Sequence, residues 1–156
     1  MRERTRMYLM ETEAVKKLLC EVEVGGFATV NSDNSPYVVP VHFVLYDKKI
    51  YIHGSLYGQK IDNIKKNAKT SLTVYKMHEI VINDDIDSCN VNTKYESAIV
   101  EGEAKLVEDE IEKVFALSKI ISKYTPQLDA SKLSSDMVKN VAVVAIEIEK
   151  ITGKYY

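Results

Sequence analysis

From Tyr95 to Val107 the sequence YESAIVEGEAKLV sets Ala98, Val100, Gly102, Ala104 and Leu106 in alternation with Ile99, Glu101, Glu103 and Lys105. A period of two is the mark of a β-strand, and here one of its faces is narrow and lined by small residues. Other segments could stand beside it. Phe27 to Val30 and Pro36 to Tyr46, rich in β-branched and aromatic residues, flank the polar turn NSDNS and read as a pair of strands. Asp47 to Lys49 turn the chain into a third strand, Ile50 to His53, and strand character resumes from Thr70 to Asn83. The closing stretch VAVVAIEIEKITGK alternates Ile146 and Ile148 with Glu147 and Glu149. Six or so strands, joined mostly by short turns, predict a mainly β fold: an antiparallel sheet closed into a small barrel with helices packed outside it.

Three helices are expected around that barrel. Thr12 to Val22 carries Val15, Leu18, Leu19 and Val22 at helical spacing, with Thr12 as N-cap and Gly25 and Gly26 as the stop. QKIDNIKKNAK gives about two turns ending near Asn67. Asp109 and Glu110 open the third, which runs through Ile121 to Thr125 and Pro126, and a short helical piece follows at 136–139. Asp84 to Lys94 reads as a polar loop. Pro40 lacks a ladder donor, so its strand is expected to be irregular or to lie at an edge there.

No repeat, low-complexity tract or linker divides the chain, and its 156 residues are read as one domain, 1–156. A chain of this size buries roughly 70% of the surface it exposes unfolded. With 21 basic and 23 acidic residues mixed along it and a net charge of -2, it has no basic field for a phosphate backbone, and no nucleic-acid partner is expected. No apolar run approaches the ~20 residues of a membrane span. MRERTRMYLM also lacks the apolar core of a signal peptide. No membrane association is expected, and the reading is cytoplasmic. Cys20 and Cys89 stand in unlike contexts and do not form a disulfide framework; Cys89 is read as an unreactive thiol. His42, His53 and His78 have no metal-ligand spacing. His42 and His78 are read as ordinary strand residues, and His53 as a ligand candidate.

That distinction comes from the stretch IYIHGSLYGQK, Ile50 to Lys60. A strand breaks at Gly54 and again at Gly58, and a helix begins with a lysine two residues in. The N–H groups at a helix start, together with the macrodipole, attract an anion. Gly54 and Gly58 remove the β-carbons that would hold its oxygens away, Ser55 offers a hydroxyl, and Lys60 a point charge. The turn suits a phosphate monoester. The same residues also serve a plain strand-to-helix connection with a solvated lysine.

The chain resembles the pyridoxamine 5'-phosphate oxidase-like flavoproteins of split-barrel fold, in particular their 5-nitroimidazole-resistance-type branch. The resemblance runs from the basic opening and Met7 through GFATV and PYVVPVHFVLYDKKIYIHGSLYGQKIDNIKKN. It resumes at YESAIVEGEAKLVED and KYTP and ends in IEIEKITGK. It implies FMN as cofactor, held at the interface of a homodimer. Gln59 and Lys60 would meet the phosphate, with Ser55 and the Gly54 amide assisting. His53 would stand beside the ring or ribityl chain, and Val39, Pro40 and Val41 would run along the isoalloxazine edge. No catalytic side chain is implied. Many members carry arginine where this chain has Gln59, which leaves one charge fewer on the phosphate. The implied activity is an oxidoreductase passing electrons from a reduced nicotinamide to a small-molecule acceptor such as a nitroaromatic. The alternative is a non-enzymatic module holding flavin or haem on the same barrel. Oxidation of pyridoxamine 5'-phosphate itself is disfavoured, because the arginine- and histidine-bearing C-terminal segment associated with that substrate is not seen in the sequence.

Overall fold

The computed structural model describes residues 8–82 and 92–156. Six strands close into an antiparallel barrel in the order β1-β2-β3-β6-β5-β4. They are β1 (Val24–Val30), β2 (Pro36–Tyr46), β3 (Lys49–Gly54), β4 (Lys69–Val81), β5 (Asn92–Leu106) and β6 (Ala142–Tyr155). The helices are α1 (Thr12–Glu21), α2 (Gln59–Lys66), α3 (Glu110–Tyr124) and α4 (Ser135–Lys139), with a 3-10 turn at Ala130–Lys132. Among the described residues no helix is long and apolar enough to cross a membrane.

The alternation in β5 does what its period demands. Ala98, Val100 and Ala104 are buried inside the barrel, while Glu101 and Glu103 stand outside, paired with Lys150 and Lys69. Phe27, Phe43, Ile50, Ile52, Leu72 and Ile146 fill the rest of the interior, and Val15, Leu18 and Leu19 of α1 join the same core. A second, smaller core lies outside the barrel, where α3 packs Ala116 and Leu117 on Tyr51, Val143 and Ala145. The Tyr51 hydroxyl donates to Glu112 at 3.0 Å and Lys49 reaches the same carboxylate at 3.1 Å, clamping α3 to β3. Burial first, and then this carboxylate, push the Tyr51 hydroxyl's pKa up to about 12.

Three sequence expectations are corrected. Thr12 is the first residue of α1 and Glu11 the residue before it, with no side-chain cap. Gly25 and Gly26 do not stop that helix; Val22 does, and the glycines lie within β1. A β-carbon on Gly25 would stand 3.1 Å from the Leu72 side chain, so the missing side chain lets β4 pack directly on the β1 backbone. Asn92 to Lys94, expected in a loop, pair with Glu79 to Val81 of β4 and lengthen β5. Their polarity reflects a strand pair with no further partner there. The rest of that loop, including Cys89, lies outside the described residues, as do Asn83 and Met7.

The feature that matters for the site is where β2 leaves β3. The chain reverses at Asp47, whose φ is 52°, and the two strands pair from Tyr46 and Lys49 as far as Phe43 and Ile52. Beyond that rung they part. β3 continues along β6 to Gly54, while β2 continues along β1, with His42, Val41, Pro40 and Val39 opposite Val24, Gly25, Gly26 and Phe27. The barrel is closed by its other contacts and split along this seam. Extended past the last rung, the register sets His42 against His53 and Val41 and Pro40 against Gly54 and Ser55, with a gap between them.

Candidate functional site

One lip of the gap is the edge of β2. Phe43 turns its N–H and carbonyl toward the start of β1, where both meet the Tyr124 hydroxyl, which also bonds Glu23. Backbone groups alternate along a strand. Val41 and Val39 therefore face β1, and Pro40 and His42 face the open gap. The ring of Pro40 occupies the one side where no partner strand exists, so its missing donor breaks no ladder bond. This bears out the edge position expected of it, and narrows the edge: Pro40, not the peptide groups of Val39 and Val41, borders the gap. A groove of about 300 Å³ runs here, lined by Val24, Pro40, Val41 and His42.

The other lip is the glycine turn. α2 starts after Gly58, which has φ 131° and ψ 164° and supplies no side-chain cap. Its carbonyl accepts from Ile61 at 2.9 Å and Asp62 at 3.1 Å, leaving the N–H groups of Gln59 and Lys60 ahead of the helix ladder. Lys60 folds back over the turn. A β-carbon built on Gly54 would stand 3.4 Å from its Nζ and 3.5 Å from its Cε. The Ser55 Oγ accepts from the Tyr57 N–H at 3.3 Å, and a hydroxyl in that role retains its own hydrogen to donate. His53, Gly54, Ser55 and Lys60 are thus brought together, with cationic, amide and hydroxyl donors around a space left by an absent side chain.

Gln59 is not part of that group through its side chain. Its Nε2 donates to Asn31 Oδ1 at 2.9 Å, on the other side of α2. The same oxygen accepts from Asn63 at 2.8 Å, and Asn63, buried, also donates to Thr29 Oγ1 at 3.0 Å. These bonds tie α2 to β1 and fix where Lys60 begins its reach. A polar recess of about 410 Å³ opens between them, with Asp33 and Asp62 in its wall. Those carboxylates make it a poor place for an anion.

Between the lips and α3 lies a third recess of about 460 Å³, lined by Glu23, His42, His53, Ile120, Ile121, Tyr124 and Thr125. His53 shows more than a third of its surface to solvent. Even so, the protein on one side of its ring lowers its pKa below the usual imidazole value, and the charges of His42 and Lys60 add to this. The shift favours the neutral imidazole, which donates from one nitrogen and accepts at the other. His42, expected to be an ordinary strand residue, stands in this recess and in the Pro40 groove as well, stacked on Tyr124 with ring centroids 4.5 Å apart. Tyr124 reaches it from another element, 81 residues along the chain from its bonding partner Phe43. No sequence period could report that pairing. His78 is paired at 2.8 Å with Glu96, away from the gap. Among the described residues no group of histidine, cysteine and carboxylate side chains is placed to hold a metal.

The family model for pyridoxamine 5'-phosphate oxidase matches residues 11–155. The chain belongs to the pyridoxamine 5'-phosphate oxidase family. No curated protein matches it. Among solved structures it is similar to a protein from Bacteroides thetaiotaomicron, provisionally described as a 5-nitroimidazole antibiotic resistance protein. That match has 25% identity and a TM-score of 0.83, over 94% of this chain and 86% of that one. It is also similar to the flavocytochrome Anf3 from Azotobacter vinelandii, at 22% identity and TM-score 0.83 over 99% and 74% of the two chains. A third likeness is to a FAD-binding protein from Mesorhizobium loti, at 21% identity and TM-score 0.70 over 95% and 96%. At such identities the last two speak for the fold. The six-stranded split barrel with flanking helices is that of the pyridoxamine 5'-phosphate oxidase family, as the sequence resemblance implies.

Proposed function

We propose that this member of the family is a flavoprotein oxidoreductase that holds FMN in the gap between β2 and β3. One observation carries the reading: the Lys60 ammonium lies over Gly54 at the uncapped start of α2. A phosphate monoester there meets a charge, two helix N–H groups and the Ser55 hydroxyl, with no β-carbon in the way. The groove lined by Val24, Pro40, Val41 and His42, on the other lip of the gap, is the seat proposed for the ring. Membership of the family and the flavin-binding solved structures of the same fold support the choice of a flavin. FMN is preferred to FAD because the turn offers one compact anion site.

When bound, a flavin supplies the redox chemistry, taking electrons from a reduced nicotinamide and passing them to a small acceptor such as a nitroaromatic. The residues described here bind and orient it. Lys60 and the turn hold the phosphate end, Pro40 and His42 bound the ring's edge, and neutral His53 offers a hydrogen bond where ring or acceptor is exposed.

The active form is a homodimer. The outer face of β2, β1, β4 and β5 carries Val38, Val24, Tyr75, Met77 and Ile99, each between 47% and 59% exposed. Their positions in the ladders set them on one outer face, and exposed apolar side chains gathered on one face suit a subunit interface. It borders the Pro40 lip, so a second copy seated there would close the groove.

Titrating the purified protein with FMN and with FAD, following quenching of flavin fluorescence, tests the reading. Binding of FMN at micromolar concentration or tighter, with NADH or NADPH oxidation that quickens on adding a nitroaromatic, is expected. FMN binding without turnover would make the chain a flavin-binding module. No binding of either flavin would remove the proposal.

A further inference from the structure

At the start of β1 the ladder with β2 stops one rung short. Val24 pairs with His42, and the next rung would join Glu23 to Phe43. The Tyr124 hydroxyl stands in that rung instead. It accepts from the Phe43 N–H at 2.9 Å and lies 2.6 Å from the Glu23 carbonyl and 2.7 Å from the Phe43 carbonyl, its single hydrogen serving one at a time.

Lys123, its neighbour at the end of α3, completes the wedge. Its ammonium donates to the carbonyls of Val22 at 2.8 Å, Leu19 at 3.1 Å and Phe43 at 3.1 Å, and sits 4.2 Å from the centre of the Phe43 ring. A half-buried cation held by three carbonyls and a ring, with no carboxylate in bonding range among the described residues, is an expensive arrangement for a surface helix. It joins the ends of α1 and α3 to the single β2 residue at which β3 departs.

What the wedge controls is His42. The Tyr124 ring lies against the His42 imidazole with 22° between their planes. His42 is in turn the wall shared by the Pro40 groove and the recess holding His53. We propose that Lys123 and Tyr124 are positioning residues: the last turn of α3 props open the start of the β1–β2 ladder and, through the stacked His42, sets the width of the groove at the flavin ring's edge. The inference rests on the flavin reading above, but its geometry is a property of the protein alone.

The two can be tested apart. Tyr124→Phe keeps the ring and removes the hydroxyl, Lys123→Met keeps the stem and removes the charge, and Lys123→Arg restores the charge. In the flavin-free protein, the His42 ring signal in NMR spectra, assigned by its loss in His42→Gln, is expected to shift in Tyr124→Phe while the His78 signal stays. FMN and riboflavin, which lacks the phosphate, are both expected to bind about fivefold more weakly to Tyr124→Phe and Lys123→Met, the scale of one neutral hydrogen bond. Lys123→Arg should recover most of that loss, and His42→Leu, with the wedge intact, should reproduce it. A lesion at the phosphate turn would weaken FMN alone. Flavin affinities within twofold of wild type in both wedge variants would overturn the proposal, even if their melting temperatures fall. If the wild-type protein binds neither flavin, the flavin reading fails and the NMR signal decides: a His42 signal unmoved in Tyr124→Phe overturns the positioning role, and a moved one upholds it.

Discussion

Lys60 and Gly54 are a matched pair, the side chain of one lying beside the bare α-carbon of the other. At 3.4 Å a methyl group on residue 54 would touch the end of a flexible chain without forcing it. Gly54→Ala is therefore expected to fold at least as stably as wild type, by up to ~1 kcal/mol through a less free unfolded chain. It should bind FMN about tenfold more weakly, ~1.4 kcal/mol, because the new methyl group stands where the phosphate oxygens approach. A urea melt and a fluorescence titration on one sample separate the two effects, and equal affinity would move the phosphate elsewhere.

Removing the charge gives a different pattern. Lys60 has no ion-pair partner among the described residues, so Lys60→Ala should leave the melting temperature nearly unchanged. FMN binding should weaken by about 1 to 3 kcal/mol, the range of a charge-assisted bond, and lose much of its dependence on salt. Riboflavin should bind the variant and the wild type alike.

Gly58 tests the backbone of the turn. Nothing lies within 4 Å of a β-carbon placed on it, so space is not the obstacle. Its φ of 131° with ψ of 164° belongs to a region that side chains other than glycine's hardly enter. Gly58→Ala is expected to lower stability by about 1 to 3 kcal/mol in chemical denaturation. A loss too small to measure would mean that the turn relaxes at no cost.

Acid should find His53. Its ordinary pKa of 6.5 is lowered in the folded protein, first by withdrawal from water and then by the charges of His42 and Lys60. Below about pH 6.5 the unfolded chain holds the proton more readily than the folded one, so stability falls as pH drops from there through the lowered folded value. Above that window the contribution is fully present. Comparing urea midpoints of wild type and His53→Gln between pH 5 and 7 isolates it: the variant's curve should be the flatter of the two.

The proposed pairing of copies can be tested at one residue. Val38 is 59% exposed on the outer face of β2, beside Pro40. Val38→Glu would set a charge on the proposed interface where it borders the groove, and sedimentation should show a monomer where wild type is a dimer. FMN affinity should fall with it. A wild-type monomer that still binds FMN would separate the cofactor site from any second copy.

Much of this architecture could be read from periodicity. The boundaries of β2, the two-turn length of α2 and the inward small-residue face of β5 all follow from local patterns, because alternation and helical spacing are local consequences of burial. The turn from His53 to Lys60 was legible for the same reason, its chemistry being contiguous in sequence. The side chain of Gln59 turns to Asn31 while that of Lys60 lies over Gly54, because a helix start aims consecutive side chains about 100° apart, a divergence that adjacency in sequence does not display. The sequence assigns no individual roles to His42, Lys123 and Tyr124, since their meaning lies in contacts between α3 and a strand some eighty residues away. Gly25 and Gly26 signalled a break only because a strand pressed against its neighbour and a helix end both call for the smallest residue.

The proline facing the gap also has a bearing on solubility. A barrel that opens along one seam leaves a run of strand with unsatisfied bonding positions, the sort of template on which foreign strands nucleate aggregates. Pro40 blanks the middle of that run with a ring that cannot donate, and His42 beside it is pinned under Tyr124. An added strand would find no N–H donor at Pro40, so the seam is a poorer template for pairing than an unbroken strand edge of the same length.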